Sequence, residues 1–527
     1  MKKIIIATLA LTISACFYSC SDGIEGYNEN PNSAEVVPTN GIFNRATKQY
    51  TDVMRSSFNS GRLTLDWMEY WGQNAYADED RYLFRETSSQ GIYDGLYLGA
   101  NEFKSIIDLN VGEDTQAGAA QYGNNANQIA ASRIMLAYSF HKLTDTFGDV
   151  PYYSYGSDDP DFQALSLNSD GILSPVFASQ EKIYVDILKE LRESADMLVL
   201  SQPVFISGDN IFGGDASKWK KFANSLILRV ATRLKSENAS VANSAISAAL
   251  ASGVMTSNAD NAVQAYGTSD EESSPWWSAF ISRTDFAVAA PFVDLLKGTT
   301  GNYGQDPRLF QMAAPKSVGI NAIKADDYTV STDYNDYQGI PYGFPALNAI
   351  DAPTYSYPSS KIIRPDYGEV LMEYAEVAFL LSENNGFSQS EYINGVRASM
   401  EKWGVPAGDI DTFVGGLPAA SAETVATQKY VALYMQSHES YAEYRRTGYP
   451  DGDILLLPGQ TYQLPADQQP GGTTSYVFTP AVEADDLPFR LTYPATLQSL
   501  NPTNRAAAVS GLSNGDTILS KLFWDNN

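Results

Sequence analysis

The sequence predicts a mainly α-helical protein in which stacked helix pairs support an irregular, loop-rich subdomain, and three observations carry that prediction. Arg133 to Tyr153 reads as one long helix, with Leu136, Phe140, Leu143 and Phe147 on one face and Ile134, Tyr138 and His141 on an adjoining one. Two apolar faces require neighbours on two sides, a condition that helices stacked in pairs satisfy. Helical periods also recur on both sides of this stretch. Residues 263–366, by contrast, lose the period except at Phe286 to Leu296 and fill with Tyr, Asn, Asp, Gly and Pro.

At the N-terminus, Lys2-Lys3 precedes an apolar run, Ile4 to Ile13, that is too short to span a bilayer. The pattern is that of a signal peptide, assigned to residues 1–19. Cys16 and Cys20 are the only cysteines, and each lies in a setting that resembles a bacterial lipobox, where the thiol is acylated and becomes the first mature residue. Cys20 is the expected lipidation site and Cys16 the alternative. Several acyl chains, at about 0.8 kcal/mol per buried CH₂, would hold the chain on a membrane without a spanning helix. With no later cysteine, the mature chain has neither an internal disulfide nor a Cys metal site.

From Gly26 to Asn32 the chain is a turn-rich strap. Helices are expected from Thr39 to Leu63 and from Gly91 to Leu109, separated by the aromatic and charged loop Trp71 to Arg85. The central helix should end at Gly148, because glycine tolerates positive φ, and Val150-Pro151 then forces an extended exit into an Asp/Pro/Tyr-rich loop. Ser179 to Leu200 is amphipathic. Asp215 should cap a helix whose buried stripe is Trp219, Phe222, Leu226, Val230 and Leu234, with Val241 to Leu250 returning antiparallel to it. Further helices are expected at Phe286 to Leu296, Leu371 to Leu381, Ser390 to Trp403, Thr424 to Arg446 and Asn504 to Val509. Residues 20–527 are accordingly read as one domain: a helical core over about 39–262 and 367–449, the loop-rich part over about 263–366, and a turn-rich C-terminal part over 450–527.

Composition restricts the partners. The 62 acidic residues against 35 Lys and Arg give a formal charge of −27, which disfavours nucleic acid and anionic lipid, since both demand a basic face. With 33 Tyr, 23 Phe and 7 Trp, the chain has aromatics for a large core and for its loops.

Several stretches in order resemble one family, the SusD/RagB outer-membrane nutrient-binding lipoproteins of Bacteroidetes, within its SusD-like branch. They are Asn30-Pro31-Asn32, Asp145 to Tyr152, Lys218 to Leu228, Tyr374 to Val377, Gln428 to Pro450 and Pro488 to Pro494. The resemblance implies a tetratricopeptide-like helical core with an irregular subdomain carrying the ligand site. It also implies a cell-surface, non-enzymatic role, in which the protein captures oligosaccharide and delivers it to a SusC-like TonB-dependent transporter in the outer membrane. A peptide or other non-glycan nutrient is the alternative ligand, and a glycoside hydrolase the distant one.

A carbohydrate site needs flat aromatic faces for sugar C–H surfaces and planar amide, carboxylate or guanidinium groups for hydroxyls. Two loops offer both. The first contains Trp71, Gln73, Asn74, Tyr76, Asp80, Arg81 and Tyr82; the second contains Trp276, Trp277, Phe280 and Arg283. Adjacent indoles at Trp276-Trp277 cannot easily face one core, although core packing is the competing reading at both loops. Tyr337 belongs to a third aromatic group with Tyr328, Tyr334, Tyr342 and Phe344. No cofactor or metal is expected: His141 and His438 each lack a second His at helical spacing, and Asp326, Asp327, Asp333 and Asp336 lack the EF-hand order. Nor does G-x-S-x-G, H-E-x-x-H or a P-loop occur in its required context, so no catalytic residue is assigned.

Overall fold

The computed structural model describes residues 38–83, 85–166, 170–350 and 354–525. Cys16, Cys20 and the strap at 26–32 lie outside the described residues.

The longer helices of the first half are α1 (Thr39–Met54), α2 (Glu86–Val111), α3 (Asn125–Phe147), α4 (Gln180–Met197), α5 (Ala216–Leu234) and α6 (Ala239–Ser252), each packed on the one before it. Those that follow are α7 (Pro275–Ile281), α8 (Ala290–Lys297), α9 (Tyr374–Asn384), α10 (Gln389–Trp403), α11 (Ala407–Gly415), α12 (Ala422–Ala432), α13 (Ser437–Thr447) and α14 (Pro502–Ser510). A second stack forms where α9 packs on α5, α10 and α12.

Helix α3 is the expected two-faced helix: from Asn127 to Asp145 every side chain is buried. Asn124 caps its first turn by accepting from Asn127 N at 3.1 Å, and Gly148, at φ +94°, closes the last by donating to Thr144 O at 2.9 Å. The extended exit then bridges Val150 to Ala178. At α5, Asp215 accepts from Ser217 N at 2.8 Å and Lys218 N at 3.2 Å, as its N-cap position requires.

Stretches that carry the family resemblance meet in one buried ion network. Arg229 of α5 grips Glu376 of α9 through two 2.6 Å hydrogen bonds. Arg233, one turn on, reaches Asp145 of α3 at 2.5 Å and Glu443 of α13 at 2.9 Å, and also pairs with Glu439. His141 sits at 3.1 Å from both Asp145 and Arg233, and burial pushes its imidazole down to about 3, so it is a neutral core histidine. From α13, Arg445 donates to Asp145 O at 3.0 Å and Phe489 O at 2.7 Å, while Arg490 reaches Phe147 O at 2.8 Å. The C-terminal part is thereby tied to the end of α3. These charged groups orient helices.

Three expected helices are divided. Thr39 to Leu63 ends at Met54, where His438 donates to Met54 O at 3.0 Å; a π turn, Ser57–Gly61, and a short helix, Thr64–Trp67, follow. Thr424 to Arg446 breaks between α12 and α13, where Met435 adopts φ +72° without any glycine to announce it. Phe286 to Leu296 begins as a strand, because strand pairing takes Phe286–Val288 and the helix starts only at Ala290.

The strands are β1 (Trp71–Gln73), β2 (Ala262–Gln264), β3 (Phe286–Val288), β4 (Glu369–Met372), β5 (Thr461–Gln463) and β6 (Ser475–Val477), in antiparallel pairs β1/β3, β2/β4 and β5/β6. Pairing of Ala262 with Met372 means that the chain leaves the helical stack and rejoins it at one place. Among the described residues, no helix is long and apolar enough to cross a membrane.

Candidate functional site

The two loops singled out in the sequence are joined by a sheet. Trp71, Gly72 and Gln73 pair with Val288, Ala287 and Phe286, so the segment that follows β1 lies beside the segment that precedes β3. Asn74 completes the join: its amide N donates to Asp285 O at 2.9 Å and its side chain to Thr284 O.

Under this junction lies an aromatic base. Trp71 meets Trp276 edge-on at 4.9 Å between ring centroids and Phe280 at 6.0 Å, and its indole donates to the Tyr434 hydroxyl at 2.8 Å. All three of these apolar rings are buried. The local cause is helix α7, which Ser274 caps by accepting from Trp276 N at 3.2 Å with Pro275 in its first turn. One helical step then turns Trp276 into the base and leaves Trp277 half-buried. The adjacent indoles do part company, yet the buried one is core.

Above the base is an open rim. Tyr76 is 55% exposed, and the guanidinium of Arg283 stands over its ring at 5.8 Å. Arg283 is held by Asp285 at 2.8 Å, and Asp285 also binds Arg62 at 3.1 Å. Arg62 in turn lies 4.8 Å from the ring centre of Phe58, itself 50% exposed. Two accessible aromatic faces are thus connected through one carboxylate and two guanidinium groups, with Asn74 hydrogen-bonded to the same loop at Asp285 O and Thr284 O. Such groups suit a hydroxyl-rich ligand, since the rings take C–H faces and the guanidinium and amide groups donate to oxygen.

Around Gln73 of β1 is a carboxylate cluster. Asp66, Glu79 and Asp80 are buried around Gln73, whose side-chain amide donates to Asp66 at 3.2 Å and Glu79 at 3.0 Å. Gln73 N donates to Asp80 at 3.1 Å. Burial, reinforced by their mutual repulsion, raises the Asp66 carboxyl far above its ordinary range, and burial raises Asp80 to about 7. The pair therefore holds a proton near neutral pH.

Six expected site residues consequently have no face open to ligand: Trp71, Asp80, Tyr82, Trp276, Phe280 and Tyr337 are buried. Tyr82 packs on Phe478 at 5.6 Å, and Tyr337 donates to Ser331 O at 2.8 Å while packing on Phe310. Trp71, Trp276 and Phe280 form the aromatic base of the junction. Asn74, Tyr76, Arg81 and Trp277 keep accessible atoms. Phe58 and Arg62 were not among the expected residues, because the sequence places both inside a continuous helix; the π turn is what exposes Phe58.

A family model for SusD-like proteins, described as "Starch-binding associating with outer membrane", matches residues 31–462, and one described as "Susd and RagB outer membrane lipoprotein" matches residues 417–525. No curated protein matches. Among solved structures, a chitin-binding protein superposes with a TM-score of 0.71 at 22% identity, over 92% of this chain and 100% of its own. A chitin-binding SusD homologue from Flavobacterium johnsoniae gives 0.68 at 20% identity, over 92% and 99%. A SusD homologue from Parabacteroides distasonis gives 0.71 at 21%, over 93% and 98%. At these identities the structural likeness establishes the shared helical fold. Matched over most of its length, the chain belongs to the SusD-like family of outer-membrane-associated binding proteins.

Proposed function

We propose that this chain is a lipid-anchored, cell-surface binding protein that captures oligosaccharide at the Tyr76–Arg283 rim and hands it to a SusC-like TonB-dependent transporter. The observation that carries the reading is the rim itself: exposed aromatic faces at Tyr76 and Phe58, linked through Arg283, Asp285 and Arg62. The chitin-binding neighbours and the starch-binding family description point to the same ligand class. Anchoring is assigned to Cys20, with Cys16 as the alternative, so the whole binding body stands outside the bilayer.

Binding without hydrolysis fits the carboxylates nearby. Hydrolysis of a glycoside needs two carboxyl groups on either side of an accessible bond. Asp66 and Asp80 are instead sealed beneath Gln73, and Asp285 is occupied by two arginines.

Calorimetric titration of the purified chain with malto-oligosaccharides, N-acetylchito-oligosaccharides and cationic peptides tests the reading. Saturable binding of at least one glycan, recovered intact after long incubation, is the expected result. Binding of peptides with no glycan would transfer the import role to peptides, and shortened glycan products would establish an enzyme.

A further inference from the structure

A second cleft, of about 680 Å³, opens between the loop-rich residues 302–334 and helix α11, and none of its lining residues belongs to the Tyr76 rim. Its volume lies within the range of small-ligand sites, about 300–1,000 Å³. We propose that this cleft is a second saccharide-binding site, using Phe310 and Tyr334 as its aromatic walls above the buried Phe413, and Asn302, Gln305, Thr332 and Asp409 as its hydroxyl-binding groups. The proposal rests on the oligosaccharide reading above.

The walls meet at an angle, with the rings of Phe310 and Tyr334 at 4.5 Å and 51° to one another. Such a corner presents two faces to one sugar ring. Phe310 is fixed from behind by Tyr337 at 5.5 Å, so its orientation is set before a ligand arrives. Tyr337, one of the residues expected to touch ligand, would act here as a positioning residue.

The polar lining differs from that of another cleft. In the cleft of about 410 Å³ beside α2, Gln163 donates to Pro160 O and accepts from Val176 N, and Asn501 donates to Pro175 O, so the hydrogen-bonding groups are already used. Among the described residues, the side chains of Asn302, Gln305, Thr332 and Asp409 make no hydrogen bond, and all four are exposed. Amide and hydroxyl groups with a single carboxylate match neighbouring sugar hydroxyls, which both donate and accept. No Lys or Arg lines the cleft, so an anionic ligand finds no counter-charge there. Burial, with the carboxylates of Asp306 and Asp409 adding to it, raises the Tyr334 phenol above its ordinary range and keeps it a hydroxyl donor.

Hydrogen exchange of the full chain, with and without maltohexaose or N-acetylchitohexaose at saturating concentration, tests the proposal. The expected result is slowed exchange in residues 302–311 and 407–416 with one of these glycans. That protection should survive in the Tyr76→Ala/Arg283→Ala variant and be lost in Tyr334→Ala. Asp409→Ala, at an exposed position where folding is not at stake, should weaken this site roughly three- to tenfold, the loss of one hydrogen bond. Protection confined to the peptides around Tyr76 and Arg283 would overturn the second site and leave the proposed function standing. Binding of neither hexasaccharide anywhere would overturn both.

Discussion

Trp276 shows how a residue can carry the right chemistry and still serve the fold. Its indole meets Trp71 edge-on and has no exposed surface, so Trp276→Ala should cost about 3–5 kcal/mol in urea unfolding, whereas Trp277→Ala should cost distinctly less. Equal costs would mean that the two indoles are not divided between core and rim. At Asp80 the prediction concerns pH. Its folded carboxyl titrates at about 7 against an ordinary 3.8, so between these values the folded chain holds a proton that the unfolded chain has released. Stability from this group therefore falls as pH rises across that window. Asp80→Asn should flatten this part of the stability–pH curve, and an unchanged slope would contradict the shared proton. Neither burial was legible from residue type alone: an aromatic loop with acids describes a ligand site and a polar-lined core equally well, and only the β1/β3 pairing separates them.

Among the elements, periodicity and caps marked the helices well. Asp215 and Gly148 stand at the ends that their side-chain chemistry predicts, since local signals decide a cap. The breaks were invisible because their causes are distant in sequence: His438 reaches back to Met54 O, and β3 exists only because β1 lies beside it. The latter pairing is what assembles the rim from two loops. The charged network, too, works between elements. Removing its carboxylate in Glu376→Ala would leave Arg229 buried with its 2.6 Å partner gone, and should cost about 3–5 kcal/mol by chemical denaturation. A loss under about 1 kcal/mol would show that Glu439, at 3.5 Å, already suffices.

For the whole molecule, the stacked helices carry both proposed binding surfaces in a chain of net charge −27, whose two cysteines lie near its N-terminus. Cys20→Ala should release the protein from membrane fractions into the soluble pool, and release by Cys16→Ala alone would move the anchor. The ordered stretches from Asp145 onward made the architecture legible, because they carry buried residues that set helix against helix. The proposed rim was only partly visible: Asn74, Tyr76 and Arg283 stood out by residue type in their loops, whereas Phe58 and Arg62 lie in a stretch whose helical pattern conceals the π turn. The most direct test of oligosaccharide capture at the rim is calorimetric affinity for the best-binding glycan, compared between the native chain and Tyr76→Ala/Arg283→Ala. Loss of an exposed stacking face and its guanidinium neighbour should weaken the rim site roughly tenfold or more, with the melting temperature essentially unchanged. Undiminished affinity with a folded variant would contradict the assignment of the rim as the capture site.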